Sequence, residues 1–551
     1  MASGSTTPAG AALGATRSRP GTPAAQLGTT LAGYGLGEFA NALALATLGT
    51  FLAYYLVEVG LLGAAAVGTL FLAVRLWDAL VHPIAGSLVS ALQRRRRVPY
   101  RGFVFALVLP ALALGALTFN LPGTPGRWLG LVDWPAEAAG RLLYAYAAYA
   151  AFVLVHALLS LPYGALGPGL ARTGAERNKL GAARALGAAF GGVFAAFVLA
   201  PMVAEATAHQ PLTAASRTPD GQPYAQDAIQ ASWDALAGHP GASLADALTA
   251  HHAALQHAFT NTTLAFLALG TICYLLTSYW CRENAPAVLR VSPTQVWRTF
   301  RGNLALRVLA GASALALAGS AAWLTLAAFY ARWILGALDH LPGLVLASAL
   351  ATFVATPLVP LLIRRLGPRP TFQVGAALQL AGGVGLWFVP EQPQGVGTST
   401  SLLFALALLL LLGAGAALIS GGVYALASDV VEYGEWKTGQ RAESAVFTTL
   451  TLARKVAMAV GGAVALYVLA WGGYVPTLDL IAAGAAQPAG ALGAVRFGAG
   501  PLVALFAALG MVVMTRYPIG EELLDTIRGD NERLKLSKAS ALVRRRAASA
   551  P

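Results

Sequence analysis

The sequence predicts an all-α membrane protein of about twelve transmembrane helices, arranged as two pseudo-symmetric six-helix halves. Three observations lead there. First, 57% of the 551 residues are hydrophobic and only 11% are charged, against roughly 25% charged in a soluble domain. Second, the apolar residues come in long runs, such as 103–119, and about 20 apolar residues span a bilayer. Third, Lys and Arg gather in alternate loops, the asymmetry that sets membrane topology. The runs are continuous, not alternating, so they read as helices and not barrel strands.

The expected spans are 31–57, 63–92, 102–121, 138–166, 180–204, 259–280, 303–336, 342–363, 371–389, 401–428, 442–471 and 497–515. Basic residues follow every second span: Arg94, Arg95, Arg96, Arg97 and Arg101; then Arg172, Arg177 and Lys179; Arg282, Arg290, Arg298 and Arg301; Arg364, Arg365 and Arg369; Lys437 and Arg441; and finally Arg544, Arg545 and Arg546. The long segment 205–258 contains only Arg217, against Glu205, Asp220, Asp227, Asp234 and Asp246. This alternation places both termini in the cytoplasm of an inner-membrane protein.

The domain reading follows. Residues 1–28 form a disordered cytoplasmic tail without a signal peptide. Residues 29–280 form the first six-helix bundle, 281–302 a central cytoplasmic loop, 303–515 the second bundle and 516–551 a basic cytoplasmic tail. The insert 205–258 reads as a solvated external loop, with possible short helices around 224–237 and 243–257.

Several function classes are excluded. The net charge of +13 belongs to the ends of apolar runs and serves topology, so no nucleic-acid partner is expected. Cys273 and Cys281 are too few for a disulfide framework or a thiolate zinc site. No HExxH, Walker loop or nucleophile elbow is present, so no catalytic residue and no cofactor are expected.

Ionisable residues inside spans are costly and mark function by default. Span one carries Glu38, span two Arg75, Asp78 and His82, span four His156, span five Arg184, and span eleven Arg454 and Lys455. Asp78 and His82 share a helix face, and Arg75 is three residues before Asp78. Spacing alone leaves two readings open. One is a cation site or proton relay through Asp78 and His82. The other is an Arg75–Asp78 structural ion pair, with His82 bonded to the backbone. His156 and Ser160, also four apart, fit an ordinary helix–helix hydrogen bond. Glu38 and Lys455 have no opposite charge in their own helix, so each needs a partner from another helix or a ligand. Arg454 reads as a snorkelling residue.

The halves echo each other. His82-Pro83 precedes the first Arg cluster as Thr356-Pro357 precedes Arg364, and the segment beginning PYGALGPGLARTG is echoed by VYALASDVVEYGEWKTG. Duplicated six-helix halves are the major facilitator arrangement, with its site between them at mid-membrane.

Three blocks carry a more specific resemblance: GYGLGEFANALALATLGTFLAYYLVEVGLLGAAAVGTLFLAVRLWDALVHPIAG over 33–86, LPYGALGPGLARTGAERNKLGAARALGAAFGG over 161–192, and SDVVEYGEWKTGQRAESAVFTTLTLARKVAMAVGG over 428–462, followed by GGYVP. They resemble the glycoside–pentoside–hexuronide:cation symporters, whose type member is the melibiose permease. The resemblance implies a cation-coupled sugar carrier working by alternating access. In it Asp78 matches the first acid of the cation motif, while His82 stands at the second acid. Val81 and Ala157 fall where further cation ligands are expected, so a sodium cage is incomplete and protons are the expected coupling ion. His156 matches a position beside the cation site. Among sugar-binding positions, Glu38, Arg184 and Lys455 are retained, whereas Ser160 replaces an acid and Gly164 an aromatic. The expected substrate is a small sugar or glycoside and the expected state a monomer in the bilayer. The rivals are an uncoupled facilitator, a carrier of another amphiphile such as a lysolipid, and a non-transporting membrane sensor.

Overall fold

A computed structural model describes residues 24–96, 98–125, 137–171, 174–208, 211, 225–282, 293–392, 400–520 and 522–533. The expectations for residues 1–23, Arg97, Arg172, Arg217, Asp220, Arg290 and the Arg544–Arg546 cluster lie outside this set.

Apolar length builds the bundle. Eleven helices among the described residues are long and apolar enough to cross a membrane. They are α1 (Gln26–Val59), α2 (Ala64–Arg96), α3 (Tyr100–Thr118), α4 (Ala138–Leu170), α5 (Gly174–Ala208), α6 (Leu244–Trp280), α7 (Leu304–Trp333), α8 (Leu338–Leu366), and then, beyond α9, α10 (Thr400–Thr438), α11 (Glu443–Trp471) and α12 (Ala489–Met514). The twelfth helix, α9 (Pro368–Trp387), has 20 residues but is made less apolar by Arg369, Gln373 and Gln379. Gln379 is buried and donates to Ser320 Oγ at 3.2 Å, so this polarity faces the bundle and not lipid.

The duplicated pattern is explicit in the packing. In the first half α1 packs on α5 and α6, α3 on α4 and α6, and α2 on α4. In the second, α7 packs on α11 and α12, α9 on α10 and α12, and α8 on α10. Between the halves α2 packs on α11 and α5 on α8, again a symmetric pair.

Glycine sets the closest crossings. A Cβ on Gly187 of α5 would collide with the Gly35 carbonyl of α1, and one on Gly461 of α11 with the Ala318 carbonyl of α7. Close backbone approach of this kind replaces the hydrophobic effect as the adhesive between membrane helices.

Arg95, Arg101, Lys179, Arg301, Arg364, Arg369, Lys437 and Arg441 all lie at one end of the bundle, the basic end. At the far end both halves share one apolar core, which joins Phe51, Tyr55 and Phe71 to Phe329, Tyr330 and Leu466. At the basic end each half has its own core, around Tyr100 and Tyr163 in one and Phe372 and Val430 in the other. The molecule is therefore closed at the far end and parted at the basic end.

Three element boundaries differ from the expectations. The short helices read around 224–237 and 243–257 are both present, as Gln226–Ala237 and as the start of α6, but the second is continuous with the span, so α6 begins at Leu244 rather than near 259. The cause is local: Ser243 and Asp246 form a capping box, with Asp246 N donating to Ser243 Oγ at 3.2 Å and Ser243 N to Asp246 Oδ2 at 2.9 Å. At the basic end α10 runs on to Thr438 instead of stopping near 428. Residues 522–533 form a further helix docked beneath α10, where Arg528 meets Glu432 at 3.0 Å and Asp429 at 3.5 Å.

Candidate functional site

The intramembrane charges fall into two clusters. The first joins the halves. Gly68 of α2 lies where a Cβ would come within 3.2 Å of the Ala463 carbonyl and Leu466 Cβ of α11. This crossing brings Asp78 and Lys455 together at mid-depth, with Lys455 Nζ 2.7 Å from Asp78 Oδ2. His82 completes the group: its Nδ1 is 3.0 Å from Asp78 Oδ1, 3.1 Å from the Asp78 carbonyl oxygen and 2.9 Å from Lys455 Nζ. Both expected surroundings of His82, carboxylate and backbone, are thus present at one nitrogen.

The Arg75–Asp78 ion pair, one of the two readings left open by spacing, is not formed among the described residues. Lys455 takes the carboxylate instead, arriving from the facing helix, while Arg75 turns to the Tyr149 side chain of α4. Arg75 is buried, and no carboxylate stands within ion-pair distance of it among the described residues.

The second cluster lies inside the first half. Near the Gly35–Gly187 crossing, Glu38 lies three residues after Gly35 and Arg184 three residues before Gly187, and Arg184 Nε donates to Glu38 Oε2 at 2.7 Å. Asn41 Nδ2 donates to Glu38 Oε1 at 3.0 Å. The Arg184 guanidinium stands 5.8 Å from the Tyr163 ring centroid, and Tyr163 stacks on Tyr34. Glu38 thereby finds the partner from another helix that its isolation required.

Other expected residues stand apart. Ser160 Oγ bonds to the Ala157 carbonyl of its own helix at 3.5 Å and does not reach His156. His156 stacks on Phe152, and its Nε2 has no hydrogen-bond partner. Arg454 is exposed. The Glu38–Arg184 and Asp78–Lys455 pairs form separate clusters, not one joined group.

One polar centre has no counterpart in the sequence reading. Glu58, at the far end of α1, is buried. It accepts a short hydrogen bond from Tyr474 and another from Thr477 N at 2.9 Å, both from the segment after α11 in the opposite half. Trp333 Nε1 in turn donates to Tyr474 Oη at 2.7 Å. In sequence Glu58 looks like an ordinary charge at a span end; the only signal was Tyr474 in the GGYVP block.

Two duplicated bundles parted at one end, with paired charges at mid-depth between them, define a membrane transporter of the major facilitator class, and not an enzyme. The family model described as "MFS/sugar transport protein" matches residues 33–521, and the chain belongs to that family, within which its relatives are of the glycoside–pentoside–hexuronide type. The glucuronide carrier protein homolog of Escherichia coli K12 is 26% identical over 453 residues, covering 81% of this chain and 84% of the relative. The isoprimeverose transporter of Lactiplantibacillus pentosus is 22% identical over 442 residues, covering 80% of each. Among solved structures, a bacterial homologue of the human lysosomal transporter Spinster, in an inward-facing and unoccupied conformation, matches with a TM-score of 0.58 at 12% identity, over 91% of this chain and all of that one. That likeness supports the fold alone.

Proposed function

We propose that this protein is a proton-coupled symporter for a sugar or glycoside bearing an acidic group, working by alternating access across the cell's inner membrane with both termini in the cytoplasm. The carrying observation is the Asp78–His82–Lys455 cluster, which spans the two halves at mid-depth.

Its chemistry suits a proton better than sodium. An ammonium only donates hydrogen bonds, so Lys455 can bond His82 Nδ1 only when that nitrogen carries no proton. A proton on Nδ1 would instead be donated to Asp78 Oδ1, 3.0 Å away. Lys455 Nζ also stands 3.1 Å from His82 Nε2, so the neutral ring accepts from it in either tautomer and only the doubly protonated ring cannot. Protonation of His82 sets an imidazolium against the ammonium of Lys455 and weakens the Asp78–Lys455 pair that holds the halves together. Hard cations want several oxygen ligands, and Asp78 is the only carboxylate in this cluster. Imidazole titrates in the physiological range.

The acidic substrate follows from Arg75. A buried guanidinium without a carboxylate partner is expensive, and an incoming anion satisfies it. The surrounding group of Arg75, Lys455 and Asp78 carries net positive charge, and a similar relative is named for a glucuronide. Glu38 with Arg184 would hold sugar hydroxyls at the second cluster. Ser160 would contribute through its hydroxyl once a ligand displaces its weak intrahelical bond.

Within this reading the domain limits are those of the sequence: bundles over 29–280 and 303–515 joined by 281–302, functioning as a monomer. Parting at the basic end corresponds to the inward-open state.

Uptake of labelled methyl glucuronide and methyl glucoside into proteoliposomes, with and without a pH gradient, tests the proposal. Accumulation of the acid, driven by protons and lost in Arg75→Gln, is expected. Preference for the neutral glycoside would refute the substrate class, and stimulation by a sodium gradient at fixed pH would refute the coupling.

A further inference from the structure

Inside the first half, apart from the interface, α1, α3, α4 and α6 line a cavity of about 40 Å³. Most of its wall is apolar: Leu43, Leu48, Val108, Phe152 and Phe266. Five polar side chains also line it: Thr47 of α1, His156 of α4, and Thr263, Thr271 and Tyr274 of α6; the Thr47 and Thr271 hydroxyls donate to the Leu43 and Leu267 carbonyls of their own helices. His156 Nε2, Thr263 Oγ1 and Tyr274 Oη are each buried without a hydrogen-bond partner. Thr263 is 2% and Tyr274 4% exposed. A buried hydroxyl left unsatisfied is destabilising, and native proteins rarely gather such groups without a reason.

One lining residue of the cavity lies near each charge cluster. His156 is within electrostatic reach of Asp78, His82, Lys455 and Arg75. Tyr274 is within reach of Glu38 and Arg184, and its ring meets Tyr163 edge-on at 5.9 Å, beneath the Arg184 guanidinium.

We propose that this cavity holds a cluster of ordered waters bound by His156, Thr263 and Tyr274, and that these waters link the Asp78–His82–Lys455 cluster to the Glu38–Arg184 cluster. A buried water occupies roughly 10–15 Å³ of such space, so about three fit. An empty cavity of this size would be lined by apolar atoms alone. Both hydroxyls can donate or accept, and the neutral imidazole can present either tautomer at Nε2. A change of charge at His82 reorients His156, then the waters, then the Tyr274 hydroxyl beside the substrate cluster. Only hydrogen bonds rearrange; no bond is broken and no proton is lost.

The linking role rests on the function proposed above, while the waters themselves do not, and the test separates the two. Radiolytic hydroxyl labelling of the full-length protein, read by mass spectrometry, marks buried side chains that touch bound water. Tyr274 should label several-fold more than Tyr149 and Tyr55, which are also buried and do not line this cavity. Thr263→Val should lower the Tyr274 label. Labelling of Tyr274 no greater than that of Tyr149 overturns the water cluster, whatever transport shows. For the link, Tyr274→Phe, with Thr263→Val as a second variant should the first fold poorly, should keep downhill exchange of methyl glucuronide and lose proton-driven accumulation several-fold. Unchanged accumulation in both variants overturns the link. Failure of the wild type to accumulate the sugar acid under a pH gradient overturns the transport reading and the link with it, and leaves the label to decide the waters.

Discussion

Lys455 Nζ stands 2.7 Å from Asp78 Oδ2, and this ion pair joins α11 of one half to α2 of the other at mid-depth. Both side chains are largely buried, at 19% and 15% exposure. Breaking a buried pair from one side leaves an uncompensated charge, whereas removing both partners can be nearly neutral. The polar contacts between the halves, including Thr69 with Tyr467 and those of Glu58, lie at this depth or beyond it toward the far end. The pair therefore sits where the two bundles begin to part.

Lys455→Met should lower the stability of the purified protein by on the order of 3 kcal/mol, as a denaturation midpoint shift, and abolish transport. Lys455→Met combined with Asp78→Leu should regain most of that stability and none of the transport. A double variant no more stable than the single one would show that the pair is not what holds these helices.

His82→Ala should abolish accumulation driven by a pH gradient while downhill exchange persists. A sodium gradient at constant pH should have no effect on either protein. The measurement is initial-rate and steady-state uptake in proteoliposomes. Accumulation unchanged in His82→Ala would reduce this residue to packing.

Glu58 is a second latch between the halves, at the far end. Its neighbourhood is held in place: Arg141 Nη1 donates to the Gly60 carbonyl at 3.0 Å, His252 Nε2 lies 2.7 Å from the Val59 carbonyl, and Leu61 takes a left-handed backbone with φ 50°. Such a conformation costs a non-glycine residue about 1–2 kcal/mol, so the surrounding contacts must enforce it. Glu58→Ala should loosen the far end. A cysteine placed at buried Val74 in the shared core should then react faster with a membrane-impermeant maleimide added from that side. Cys273 and Cys281 are buried and give little background. Equal rates with and without Glu58 would mean that the core alone keeps the far end shut.

The insert supplies the test of orientation. Asp227 is exposed on the Gln226–Ala237 helix. Asp227→Cys should label from outside intact cells. Labelling only after the cytoplasm is opened would invert the proposed topology.

The spans, the evenness of their number and the gathering of charge at one end were legible in the sequence because each depends on local composition: apolar length, and Lys or Arg at alternate ends. The same holds for the isolation of Glu38 and Lys455, since a buried charge without a partner in its own helix must find one elsewhere. Which partner it finds is not local. Lys455 displaces Arg75 from Asp78 because Gly68 lets α11 come close to α2, and Arg184 reaches Glu38 because Gly187 lets α5 come close to α1. Glu58 is silent in sequence, as its partners lie in the other half of the chain. Composition and spacing along one helix fixed what each segment is; only the crossings between helices, set by where two backbones can touch, decided which charges meet.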